Sequence, residues 1–320
     1  MATTILNNVL KKLKSPDFIL TEKELDVFSD MDPKGVSTLL QEWKGVNDEN
    51  KTKFLQELHE HYLDNTLVSF EALGVALIKD DLASVRASAL QLIDETEKCA
   101  ILPDLVKMIT TDADENVREA AVRVVGNFVR LYEYGDLDDL DNKTAENVLL
   151  KAYHDEHSKV ARAALESLGY AGRDEVYGLI EQSFEKKDTA WQVSALRAAG
   201  RSADDRWAGQ ILNGLNDADS DVCLAAIESA GELELKLARQ PLLDMLEEIE
   251  DVEMYEAIIW SLSSIGGEDV RTYLEALIAN SEDEDLIELI EDALMNLTFT
   301  EDLESFDMMA IDPDEEDDLK

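Results

Sequence analysis

Basic side chains are few in this sequence: 29 Lys and Arg stand against 72 Asp and Glu, a formal net charge of −43 over 320 residues. Such a surface repels a phosphate backbone and an anionic membrane, so neither nucleic acid nor membrane is an expected partner. Glycine (14), proline (5) and aromatics (6%) are also scarce, while Ala, Leu, Glu and Asp dominate. That is the profile of a mostly helical protein. No uncharged apolar run approaches the roughly 20 residues of a membrane span. From Met1 to Pro16 there is no apolar stretch of secretory-signal length, and Lys11, Lys12 and Lys14 follow its apolar residues rather than precede them. The two cysteines, Cys99 and Cys223, lie far apart and read as free thiols of a reducing compartment. A cytoplasmic location is the expectation that follows.

The charge is uneven. Residues 241–320 hold 27 acidic side chains against two basic ones, Arg271 and Lys320. Solubility or adaptation to salt is one reading, and a protein partner with a basic surface is the other.

What the chain has in abundance is a repeat. A bulky apolar residue is followed by Ala four positions on, a further apolar residue four beyond that, and often Gly next. The copies are Val85…Ala89…Ile93, Val117…Ala121…Val125-Gly126, Val160…Ala164…Leu168-Gly169, Trp191…Ala195…Ala199-Gly200 and Val222…Ala226…Ala230-Gly231, then the looser Ala257…Ser261…Ile265-Gly266 and Leu289…Ala293…Leu297. Their starts are 32, 43, 31, 31, 35 and 32 residues apart, a period that marks stacked supersecondary units. Spacing at i, i+4 and i+8 places the three residues on one helical face. Ala lets a neighbouring helix come close, and the following Gly suits a left-handed cap that ends the helix. Asp114, Ser158 and Asp219 are candidate N-caps. Between copies lie the partner helices, such as Leu102–Ile109, Val176–Phe184, Leu237–Leu246 and Val270–Ile278, with Pro103 and Pro241 near the starts of two of them. The polar, Asp-rich insertion Leu131–Lys143, which lengthens one interval to 43, reads as an extended loop.

The expected architecture is therefore all-α: an α-α superhelix, a right-handed solenoid of about seven helical hairpins over residues 68–298. Residues 1–67 form a helical cap before it, and residues 299–320 an acidic, disordered tail.

Catalytic chemistry has little to stand on. The four histidines are His59, His61, His154 and His157; the last pair, three apart, reads as a solvated helix end rather than a metal site. Asp136, Asp138, Asp139 and Asp141 lack the mid-loop Gly and twelfth-position acid of a calcium loop. No Gly-rich phosphate loop or nucleophile elbow is present. Cys223, beside Val222 in a repeat helix, is expected to be packed. No cofactor, metal or catalytic residue is expected. The stronger signal is a polar column. Six residues after each repeat start stand Gln91, Arg123, Glu166, Arg197, Glu228 and Ser263; ten after stand Glu95, Asn127, Tyr170, Arg201 and Glu232. Arg197 and Arg201 should thus lie beside Glu228 and Glu232, either as an ion-pair ladder between repeats or as a binding stripe on the concave face. Asp205, Arg206, Trp207 and Trp260 complete the candidate stripe, with the two tryptophans as aromatic anchors.

The Val-Arg…Ala…Leu-Gly units resemble HEAT repeats, including the variety shared with phycobilin lyases. Stretches such as Ala199–Trp207, Glu228–Glu234 and Ser264–Gly267 look like segments of uncharacterised bacterial HEAT-repeat proteins. The resemblance implies a superhelix that binds protein, with a bilin lyase-like or other ligand-cradling factor as the alternative. Such arrays usually carry an Asp–Arg ladder; its Arg is present at Arg86 and Arg118 but replaced by Ala161, Gln192, Cys223 and Ile258. His59-Glu60-His61 is similar to the His-Glu motifs of HEAT-type deoxyhypusine hydroxylases. That di-iron site needs such pairs in several repeats, and none from Val85 onward has one. The expectation is a non-enzymatic scaffold.

Overall fold

The computed structural model describes residues 2–65, 67–133, 135 and 138–310, and among these every regular element is helical. The chain divides into two compact units, residues 1–171 and 172–320.

Unit 1 holds α1 (Ala2–Lys12), α2 (Glu22–Leu25), α3 (Pro33–Trp43), α4 (Asp48–Asp64), α5 (Glu71–Leu77), α6 (Ala83–Gln91), α7 (Leu102–Thr111), α8 (Glu115–Glu133), α9 (Asp139–Ala152) and α10 (Ser158–Leu168). Helices α4, α6, α8 and α10 pack side by side in one layer; in the other, α3 packs on α5 and α7 on α9. Helices α3 and α4 thus continue the two layers upstream of residue 68, through α5 and α6 respectively. The recurring residues lie between the layers, as their spacing requires: Val85, Ala89, Val117, Ala121, Val125, Val160, Ala164 and Leu168 are all fully buried. Before the repeats the core is aromatic, with Phe28 edge-on to Phe54 at 4.8 Å. Each such buried ring contributes about 2–3 kcal/mol through area removed from water.

Unit 2 holds α11 (Asp174–Phe184), α12 (Thr189–Arg201), α13 (Ala208–Gly214), α14 (Ser220–Glu232), α15 (Arg239–Leu246), α16 (Val252–Ile265), α17 (Glu268–Asn280) and α18 (Glu284–Ala310). Helices α12, α14, α16 and α18 form one row, and α11, α13, α15 and α17 each back the row helix that follows them.

The glycines do not end the helices as expected. Gly126, Gly200 and Gly231 lie inside α8, α12 and α14, and Gly169 is right-handed with φ −50°. Their role is close approach. A methyl group added at Gly200 would meet Ser229 Cα at 2.8 Å, and one at Gly231 would meet Ser261 Cα at 2.8 Å. For α14 the stop comes three residues after Gly231, at Glu234 just past the helix end, with φ 50°. There Leu235 N–H reaches Ala230 O at 2.9 Å and Glu234 N–H reaches Gly231 O at 3.0 Å, the paired bonds of a Schellman ending. Among the recurring glycines, Gly266 stands at the end of its helix, α16, with a positive φ of 75° but an extended ψ of 174°.

Three further expectations change. The insertion 131–143 is mostly helix, because α8 continues to Glu133 and α9 starts at Asp139, whose N-cap Asp138 accepts from the N–H groups of Leu140 and Asp141. Ser158 is the first helical residue of α10 and makes no cap bond, whereas Asp114 and Asp219 do cap their helices. Helix α18 runs on to Ala310, so the expected tail from residue 299 begins in helix; residues 311–320 lie outside the described ones.

Candidate functional site

Small residues at Gly126, Gly200 and Gly231 draw the row helices together, and the polar columns beside them then come into register. In unit 2, Arg197 Nε lies 3.3 Å from Glu228 Oε2 and Arg201 Nε lies 3.4 Å from Glu232 Oε1. In unit 1, Arg123 reaches Glu166 at 3.4 Å, and Asn127 Nδ2 donates to Thr96 O at 3.0 Å. The next step of the column is uncharged: Asn296 Nδ2 donates to Ser263 Oγ at 2.9 Å. The ladder is thus formed. Its four unit-2 members stay between 24% and 41% exposed, so the same groups also face solvent.

Glu232 shows what this recess does to charge. Neighbouring protein withholds solvation and pushes its carboxyl above the ordinary 4.5, against the opposing pull of Arg201. Solvent still touches it, so it is ringed by protein rather than sealed in.

The other candidate residues separate. Trp260 on α16 is 42% exposed. Trp207 is not an anchor: it is 4% exposed, and its ring packs against Phe184 at 5.9 Å. Asp205, Arg206 and Trp207 form a 3-10 turn leading into α13, in the backing helices and not in the row. Arg206 pairs with Asp204 at 2.8 Å and lies over the Tyr177 ring at 4.0 Å. An apolar core takes Trp207 because the chain must turn tightly there, and that turn carries Asp205 and Arg206 away from the stripe. Two exposed apolar residues that sequence reading missed are Met295 (71%) and Phe299 (64%) on α18; the register of the last, loosest copy gave no sign of them.

A second ladder lies in unit 1. Arg86 grips Asp112 through two bonds of 2.8 and 2.9 Å, and Arg118 grips Asp155 through bonds of 2.8 and 3.0 Å. Each arginine also donates to two carbonyls, Asp80 and Asp81 for Arg86, Asp112 and Ala113 for Arg118. The Arg118 guanidinium holds the Asp155 carboxyl below 3.8. At the matching position of α14, Cys223 is buried and its Sγ lies 3.4 Å from Leu215 O; burial pushes this thiol up.

The histidines serve local contacts. His61 Nε2 lies 2.9 Å from Asp26 Oδ1, His59 stacks on Tyr62, His154 is edge-on to Tyr153, and His157 pairs with Glu115. Of the acidic insertion, Asp138 caps α9, Asp139 accepts from the Tyr132 hydroxyl at 3.1 Å, and Asp136 lies outside the described residues. Among the described residues no three His, Cys, Asp or Glu side chains are placed to hold a metal ion, and no helix is long and apolar enough to cross a membrane.

Residues 101–132 match the HEAT repeat family, and residues 208–295 match the family of HEAT repeats. No curated protein matches the chain. Among solved structures, an engineered protein is 17% identical with a TM-score of 0.38, covering 93% of this chain and 92% of its own. YibA of E. coli is 15% identical with a TM-score of 0.41, covering 91% and 96%. Importin beta is 13% identical with a TM-score of 0.37, covering 92% of this chain and 51% of its own. The stacked hairpins and the two matched segments, one in each unit, agree: the chain carries HEAT repeats.

Proposed function

We propose that this chain is a non-enzymatic interaction scaffold that holds a protein partner on the solvent face of the α12–α14–α16 row. The observation that carries the reading is Trp260, a large aromatic left 42% exposed on a row whose neighbouring close contacts are built from Gly, Ala and Ser. Amphipathic rings of this kind anchor protein interfaces. Beside it, Arg197, Arg201, Glu228 and Glu232 are fixed by one another, so they present a pre-organised polar surface that costs little ordering on binding. The partner carries a basic surface, because the arginines of the stripe are already neutralised by its glutamates while the chain as a whole stands at −43.

The test is a hydrogen-exchange footprint of the full chain with its co-purified protein. Protection is expected in α12, α14 and α16, and Trp260→Ala should weaken the complex by about 2 kcal/mol, roughly thirtyfold. Protection confined to α11, α13 and α15, or unchanged affinity in Trp260→Ala, overturns the reading.

A further inference from the structure

Three sides of α16 are already taken. Ile258, Ile259, Leu262 and Ile265 are fully buried; Ser261 Oγ donates to Ile227 O of α14 at 2.8 Å; Ser263 accepts from Asn296 of α18. Helix α18 is used in the same manner. Ile290, Ala293 and Leu297 are fully buried, Asn296 turns to α16, and Arg271 of α17 ties Thr298 and Glu301 at 3.2 and 2.5 Å. The side left over on α16 carries Glu256 and Trp260, four apart. On α18 it carries Glu288, Asp292, Met295 and Phe299, at i, i+4, i+7 and i+11, a single helical stripe. All six are exposed, and by helical phase both stripes open on the side of the row turned away from its backing helices. Glu256, Glu288 and Asp292 have no ion-pair partner among the described residues. The one arginine of the region, Arg271, is spent on Glu301.

We infer that this stripe docks a cationic amphipathic helix of a protein partner, its apolar side on Trp260, Met295 and Phe299 and its Lys or Arg residues against Glu256, Glu288 and Asp292. The inference rests on the scaffold reading above and places one partner element on it. Charge complementarity selects the occupant. A purely polycationic segment would leave three large apolar side chains in water, and a purely apolar one would strip water from carboxylates without replacing it. A helix with both faces satisfies both sets, and the flexible Met side chain adapts to its shape.

The probe is a synthetic Leu/Lys amphipathic helix of about four turns, compared with a Lys/Gln peptide of equal charge and read by tryptophan fluorescence and titration calorimetry on the full chain. The Leu/Lys peptide is expected to bind at least about tenfold more tightly, with a blue shift that disappears in Trp260→Phe. Trp260→Ala with Phe299→Ala should abolish that preference; both residues are exposed, so the fold is retained. Glu256→Gln with Asp292→Asn should weaken binding several-fold more than Glu247→Gln with Glu248→Gln, which removes the same charge elsewhere. Equal binding of the two peptides, or equal loss in the two charge variants, overturns the inference. A partner footprint on α12 and α14 combined with no Leu/Lys preference overturns it while leaving the scaffold reading intact.

Discussion

At the scale of single residues, two carboxylates of similar appearance respond to acid in opposite ways. Asp155 is gripped by Arg118, and both side chains are nearly buried, 14% and 10% exposed. Its pKa lies below the ordinary 3.8, chiefly through the Arg118 hydrogen bonds. A depressed folded-state pKa supplies stability that is complete above the unfolded value and lost as pH falls through the folded one. The Arg118 rung should therefore persist through mildly acidic pH and fail only below about 3.8. Arg118→Met strands the Asp155 carboxylate and two carbonyls, and should cost about 3 kcal/mol in urea unfolding at neutral pH; a loss under about 1 kcal/mol would show the rung to be ornamental. Glu232 runs the other way. Its pKa is raised, first by desolvation, so in the window above 4.5 the folded state holds more proton than the unfolded, and stability falls as pH rises through it. Glu232→Gln should thus be neutral or slightly stabilising at pH 7 despite deleting an ion pair with Arg201, since a half-exposed pair adds little. A clearly lower unfolding midpoint in Glu232→Gln would contradict this.

At the scale of elements, the repeat helices were legible because burial enforces their pattern: Val117, Ala121 and Val125 each have no exposure, and a charged residue at any of them would be expelled. The glycines were legible as recurring positions within the chain's own repeats, but not in their role. A Gly at the end of an apolar run fits a left-handed cap and a close helix crossing equally well, and only packing decides between them. Likewise the Asp-rich stretch around Asp138 read as a loop, since an N-cap Asp and a loop Asp have the same composition. The close-crossing role makes a signed prediction. Gly200→Ala must push Ser229 Cα away from 2.8 Å and should destabilise by about 1–3 kcal/mol. Gly178→Ala, in α11 with nothing within 4 Å of the added methyl, should stabilise by about 0.5–1 kcal/mol through helix propensity. Urea midpoints of the two variants moving in the same direction would refute the assignment. The candidate face was half legible. The Arg197–Glu228 and Arg201–Glu232 pairs follow from the repeat period alone, whereas Trp207 and Trp260 look alike in sequence and differ only because one sits on a tight turn against Phe184.

At the scale of the whole chain, net charge acts on every element at once. With −43 over 320 residues, every acidic group feels many like neighbours, and a repeat array has no central core to absorb the strain; each hairpin answers to its neighbours. Mutual repulsion disfavours the compact state and is screened within a Debye length of about 10 Å at 0.1 M salt. The burden is unequal. Helices α16–α18 lie in the quarter with 27 acidic and two basic residues, while α6–α8 of unit 1 carry the Arg86 and Arg118 rungs. Salt should therefore act on the two regions with different strength: it relieves repulsion in α16–α18, but in α6–α8 it also weakens attraction. Hydrogen exchange at about 0.02 M and about 0.3 M NaCl separates them. Amides of α16–α18 should gain several-fold in protection at the higher salt, and those of α6–α8 should change little. A uniform gain along the chain would mean that net charge acts globally. A loss in α16–α18 would mean that specific pairs such as Arg271–Glu301, at 2.5 Å, outweigh the repulsion around them.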